Sequence, residues 1–157
     1  MRLKRDAFDH TVDTICLVAL IGTGYLCIQS YADLPDQIPT HYNFSGEVDG
    51  FGHKQNVWAL YAVAIFLCVG LIGVSLIPHK FNYIVEITAE NAERQYRTAT
   101  RMIKGVNLIS TGFFCLLIFR MLGFGNNLDL GNYTLPIFIL LLFGVILFFI
   151  SRSISRS

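Results

Sequence analysis

Four long apolar runs, at about residues 14–31, 57–77, 102–122 and 135–150, decide most of what this chain can become. Each approaches or reaches the roughly 20 residues with which a helix crosses a hydrocarbon core about 30 Å thick. Lipid offers no partner to backbone N–H and C=O groups, so a run of this kind must satisfy its own hydrogen bonds as a helix. The composition agrees: 54% hydrophobic, 15% charged and a mean hydropathy of +0.53, where a soluble globule carries about 25% charged residues. The expected fold is an all-α membrane protein, one integral domain over residues 1–157. It is a four-transmembrane-helix bundle with a polar external cap, about 32–56, between helices 1 and 2. A cytoplasmic loop, about 78–101, holds a helix that continues into helix 3.

The first run follows a basic start, Met-Arg-Leu-Lys-Arg, and ends near Ser30-Tyr31-Ala32, a small-x-small triplet that a signal peptidase could cut. Asp6, Asp9 and Asp13 are unusual before the apolar core of a signal peptide, and three further runs follow. A retained first helix is therefore expected. The second run begins with Trp58 and Tyr61, which suit an interfacial aromatic belt, and Pro78 closes it. Gly70 and Gly73 offer a surface where a neighbouring helix could approach closely. Ile84, Val85 and Ile87 suggest a short extended piece, and Thr88 an N-cap. Glu90 with Arg94, and Glu93 with Arg97, then stand four apart with the acid first, the better order for helix ion pairs. Arg97, Arg101 and Lys104 continue as a basic stripe, suited to acidic headgroups or to a protein partner.

Lysine and arginine cluster at the N-terminus, in the middle loop and in the tail, whereas the first loop has only Lys54. Positive charge favours the cytoplasmic side, which puts both termini and the middle loop inside and the first loop outside. With a net charge of +1 and no basic face, nucleic acid is not expected as a partner. Cys16, Cys27, Cys68 and Cys115 all lie within apolar runs and read as packing residues.

Chemistry concentrates in the first loop. His41, Asn43, Glu47, Asp49, His53 and Lys54 fall within fourteen positions, stiffened at the entry by Pro35 and Pro39. Ser45-Gly46 and Asp49-Gly50 are turn or hairpin signals. A folded cap is the simplest outcome, and a recognition site can coincide with it. His41, Glu47, Asp49 and His53 could also offer nitrogen and oxygen to a metal, but their spacing matches no ligand motif. There is no HExxH, GxSxG or phosphate-binding loop, and no marked nucleophile. Neither enzymatic activity nor a cofactor is expected. Within the spans the notable polar groups are Asn107 and Arg120, the latter placed to snorkel towards Asp33, Asp36 or Asp129.

Leu34-Pro-Asp-Gln-Ile-Pro-Thr-His-Tyr-Asn followed by Gly46-Glu-Val-Asp-Gly-Phe-Gly-His-Lys54 resembles the signature of the domain-of-unknown-function 1648 family, approximately LPxxIPxHxxxxGxxDxxxxK. A second block, Pro78 to Tyr83 with Glu90-Asn91-Ala-Glu-Arg94-Gln-Tyr96-Arg97, resembles longer four-span bacterial members. The resemblance implies a bacterial cytoplasmic-membrane protein, distantly related to SdpI-type immunity proteins, which protect a producing cell from a secreted peptide toxin. It would make His41, Gly46, Asp49 and Lys54 recognition or structural residues. The expected role is recognition, signalling or immunity, with a peptide or protein met outside and a protein inside. The alternative is an accessory subunit of a larger membrane complex, and less favoured is a metal-binding membrane enzyme.

Overall fold

The computed structural model describes residues 3–43, 47–124 and 131–155. Four helices are long and apolar enough to cross a membrane: α1 (Ala7–Ser30), α2 (Asn56–Ser75), α3 (Ala92–Met121) and α4 (Gly131–Ile154). Between α1 and α2 lie a 3-10 turn, Tyr31–Asp33, and two strands, β1 (Gln37–Tyr42) and β2 (Val48–His53). The strands pair antiparallel. The fold is thus not wholly helical: the segment expected as a polar cap is a β-hairpin. Gly46 and Asp129 lie outside the described residues.

α1 begins earlier than the apolar run that announces it. Asp6 is its N-cap: its carboxylate accepts from the Asp9 backbone N–H at 3.1 Å, and the Asp9 carboxylate accepts from the Asp6 N–H at 3.1 Å. That reciprocal box satisfies two donors that a helix start otherwise leaves open. α3 starts on a similar ring. The Thr88 hydroxyl accepts from the Asn91 N–H at 3.3 Å, and the Asn91 side chain accepts from the Thr88 N–H at 2.9 Å. Ile84 to Ile87 form no strand, since no second strand lies beside them; instead Asn91 Nδ2 donates to the Glu86 carbonyl at 2.9 Å. α3 has 30 residues, about 45 Å at 1.5 Å per residue. That is half as long again as a bilayer core of about 30 Å, so its first turns extend past the core.

The core sits where α1, α2 and α3 meet. Val12, Cys16 and Leu20 of α1 pack with Ala64 and Cys68 of α2. Nearer the hairpin, Cys27, Val57, Ile118, Met121 and Leu122 enclose Ile38. α4 packs chiefly on α3, and stacks Phe138 on Phe113 with ring centroids 4.0 Å apart. It runs well beyond the expected 135–150 at both ends.

Close helix approach occurs at glycines other than those expected. Nothing lies within 4 Å of a side chain built at Gly70 or Gly73, both on exposed faces of α2. At Gly24 a Cβ would fall 2.3 Å from the Tyr61 hydroxyl, and at Gly105 2.9 Å from Val145. Tyr61 is therefore not a belt residue but a bridge from α2 to α1, donating to the Leu20 carbonyl at 3.0 Å. We expect Gly24→Leu to separate α1 from α2 and cost about 1–3 kcal/mol by overpacking, read as a lower unfolding temperature in detergent. Gly70→Leu should leave that temperature unchanged.

Candidate recognition hairpin and its mounting

The hairpin is held to the bundle by one apolar residue and several polar ones. In β1, Ile38 is 1% exposed and inserts into the core, while Gln37 and His41 are exposed. Register is irregular: Pro39 pairs with Phe51, His41 with Gly50 and Tyr42 with Val48, so Thr40 and Asp49 are extra residues. Bulges of this kind re-aim side chains, and here His41 and Asp49 meet as a hydrogen-bonded pair through Nδ1. Asp49-Gly50, read from sequence as a turn signal, lies inside β2. Gly50 is needed there for close approach, because a Cβ would stand 2.8 Å from the His41 Cβ.

Asn43 and Glu47 close the hairpin end. The Asn43 N–H donates to the Glu47 carbonyl at 2.9 Å, the Glu47 N–H to Asn43 Oδ1 at 3.0 Å, and Asn43 Nδ2 to the Glu47 carboxylate at 3.0 Å. At the base, Lys54 Nζ donates to the Leu34 carbonyl at 3.3 Å, pairs with Asp36 at 3.2 Å and lies 5.5 Å from the Tyr31 ring centre. The exposed Pro35 sits between those two partners. Lys54 is thus a brace tying the entry of β1 to the exit of β2. Arg120, at the end of α3, lies over the Tyr42 ring at 4.4 Å. Of the acids expected near it, Asp33, Asp36 and Asp129, the last lies outside the described residues.

The hairpin leaves Phe51 66% exposed, and Val48, His41 and Asp49 are exposed as well. Among the described residues no three His, Cys, Asp or Glu side chains converge as metal ligands. Glu47 faces Asn43, and His53 Nδ1 accepts from the Gln55 N–H at 3.2 Å. The arrangement offers a mixed apolar and polar contact surface.

Residues 17–65 match the family model described as Domain of unknown function (DUF1648). Over those residues the chain is similar to that family. The match takes in most of α1, the whole hairpin and the first half of α2, so the hairpin is the centre of that unit. No curated protein and no solved structure matches the chain. The second block, Pro78 to Arg97, falls beyond the matched residues.

Outside the matched residues, α3 carries a charged seam against the start of α1. Arg97 and Arg101 both donate to Asp6, at 3.0 and 3.1 Å, and Arg97 also pairs with Glu93 at 3.2 Å. Further along, Lys104 pairs with Asp13, which also receives Arg5. Lys104 is 1% exposed and Asp13 is buried. The basic stripe of the sequence therefore faces inward for most of its length. The hydrogen bond from the Asp9 backbone, ahead of the Arg101 and Arg97 guanidiniums and despite some desolvation, holds the Asp6 carboxyl below its usual range. A depressed acid stabilises the fold in its charged form, so this capping contribution is complete at neutral pH. It should fade as pH falls below about 4, towards the lowered value, visible as acid-induced loss of protection in the first turn of α1.

Two of the remaining polar residues singled out by sequence, Asn107 and Tyr96, make contacts within the fold. Asn107 is fully buried, donates to the Cys68 carbonyl of α2 at 3.3 Å and accepts from Thr111 at 3.3 Å. Tyr96 packs on Tyr83 with ring centroids 5.6 Å apart, and Tyr83 donates to the Pro78 carbonyl at 2.8 Å. Burial pushes the Tyr83 hydroxyl up to about 12, keeping it a neutral donor. Glu90 is exposed in the turn before α3, and Arg94 is exposed on its first turn. Sequence reasoning missed Gln95: it is buried, donates to the Ser153 carbonyl at 3.0 Å and accepts from the Ser153 hydroxyl at 2.6 Å. That clamp joins α3 to the end of α4.

Proposed function

We propose that this chain is a non-enzymatic bacterial integral membrane protein that recognises a peptide or protein segment through its hairpin. In this proposal the hairpin faces outward from the cytoplasmic membrane, with both termini and the 76–91 connection inside, as the lysine and arginine distribution favours. One observation carries the proposal: a hairpin anchored by a buried Ile38 nevertheless exposes Phe51, and the same two strands expose the His41–Asp49 pair. A rigid mount lowers the ordering cost of binding, and an exposed aromatic among polar groups is the usual anchor of a protein contact. Two-stranded sheets also leave strand edges able to receive an extended peptide. Toxin immunity of the SdpI type is one use for such a surface, and the resemblance of the loop signature favours it.

The test is a photo-crosslinking residue at position 51 in living cells, with Phe66, exposed on the apolar face of α2, as the lipid-facing control position. A discrete peptide or protein adduct from position 51 alone, lost in the His41→Ala/Asp49→Ala variant, is the expected outcome. Lipid adducts only, or adducts indifferent to that variant, would overturn the proposal. An accessory-subunit role remains as a second reading, favoured by the apolar groove of about 330 Å³ between α3 and α4, lined by Ile109, Phe113 and Ile137 among others. Stoichiometric co-purification in mild detergent, unaffected by the hairpin variants, would select it.

A further inference from the structure

At the N-terminal end of the bundle, a cavity of about 390 Å³ opens between the first turn of α1, the first turns of α3 and the end of α4. Apart from Thr98 its lining is of two kinds, the guanidiniums of Arg94, Arg97, Arg101 and Arg152 and the rings of Phe8, Phe148 and Phe149, and Arg101 lies over the Phe8 ring at 5.3 Å. The arginines are not equally engaged. Arg97 and Arg101 share Asp6, and Arg97 also holds Glu93. Arg94 and Arg152 have no carboxylate partner among the described residues. Four guanidiniums against two carboxylates leave an excess of positive charge in a confined space. Arg101 adds a second sign of an unfilled acceptor position, since its Nε is buried and makes no hydrogen bond.

The cavity's level in the bundle indicates the occupant. Phe148 and Phe149 lie near the end of the apolar run of α4, which closes at Ile150, and Arg152 follows two residues later. Phe8 and Phe148 are themselves exposed, so the apolar wall continues into the surface that hydrocarbon would cover. Charge therefore stands where headgroups lie, above an aromatic wall where acyl chains begin. Arginine suits this task because its planar fork binds phosphate oxygens bidentately and is more weakly hydrated than an ammonium group.

We infer that this cavity is a binding site for an anionic phospholipid, whose phosphate is held by Arg94, Arg101 and Arg152 and whose acyl chains lie against Phe8 and Phe148. The site is separate from the hairpin and stands whether or not the hairpin recognises a peptide. It differs from a general basic anchor: Lys104 is committed to Asp13, and Arg97 mainly to Asp6 and Glu93, which leaves a shaped site instead of a uniform stripe.

The experiment uses the full chain, purified in a neutral detergent, with lipid retention read by native mass spectrometry. Phosphatidylglycerol should be retained at least tenfold better than phosphatidylcholine. Arg94→Gln/Arg152→Gln should lose at least tenfold of that preference. Lys4→Gln/Lys80→Gln, which removes the same charge from exposed positions at the same end, should retain it. Arg152→Gln alone, on an exposed position near the end of α4, serves if the double variant fails to fold, and should lose most of the preference. Equal loss in the lysine variant would reduce the effect to leaflet charge and overturn the site. Inorganic phosphate displacing the lipid at millimolar concentration would overturn the lipid assignment in favour of a free anion. Equal retention of both lipids would overturn it as well.

Discussion

Lys104→Ala is expected to destabilise the bundle by about 3 kcal/mol, measured by reversible unfolding in detergent. Removing one partner of a buried ion pair leaves the other charge buried and uncompensated, which costs about 3–5 kcal/mol. The lower figure applies because Arg5 also reaches Asp13 and, with a third of its side chain exposed, can still compensate in part. Compare the neutral contacts in the same helix: hydrogen bonds such as that from Asn107 to the Cys68 carbonyl average about 0.6 kcal/mol in membrane bundles. The ion pair therefore dominates the attachment of α1 to α3 only in the sense that breaking it is costly. Its replacement as a whole should be mild. Asp13→Leu/Lys104→Leu is expected to lie within about 1 kcal/mol of the parent, since an apolar pair of similar volume often substitutes without loss. A double variant as unstable as Lys104→Ala would mean that the side-chain shape, not the charge, holds the helices.

The second large effect concerns the mount of the hairpin. Ile38→Ala should cost about 2–4 kcal/mol through lost burial and the cavity left among Cys27, Val57, Ile118 and Met121. The loss should be local. Hydrogen exchange at the amides of β1 and β2 should rise by orders of magnitude while the middle turns of α2 and α3 stay protected. The crosslinking at position 51 should fall together with hairpin protection, although His41 and Asp49 are unaltered. Ile84→Ala, at an exposed residue, should change neither. Crosslinking that survives a released hairpin would show that a rigid mount is unnecessary for contact.

These two sites also mark where sequence reasoning stopped. The four spans were legible because an apolar run of about 20 residues has few alternatives. The hairpin was half legible: proline and glycine announced a folded loop, but Asp49-Gly50 signals a turn only locally, and the register that puts it inside β2 depends on Ile38 finding a distant core. The charged seam was missed. Asp6, Asp9 and Asp13 follow a helical spacing, and Arg97, Arg101 and Lys104 follow the matching one, yet nothing local says that the two stripes pair across some 91 residues. The usable signal was the oddity of three acids ahead of an apolar run. Gln95 carried no signal at all, since a polar residue on the polar turns of α3 is expected to be solvated, and only its contact with Ser153 buries it.

The seam bears on orientation too. Arg97, Arg101 and Lys104 pair within the fold, but it is the position of lysine and arginine, not net charge, that sets topology. The outward placement proposed for the hairpin therefore does not depend on those residues being free. Its side of the membrane is the claim on which outward recognition rests, and cysteine labelling tests it directly. Phe51→Cys and Glu90→Cys place single thiols at exposed positions of opposite ends, while the native cysteines lie in α1, α2 and α3, three of them buried. With a membrane-impermeant maleimide on intact cells, position 51 should label, and position 90 only after permeabilisation. The reverse pattern would put the hairpin in the cytoplasm and contradict outward recognition.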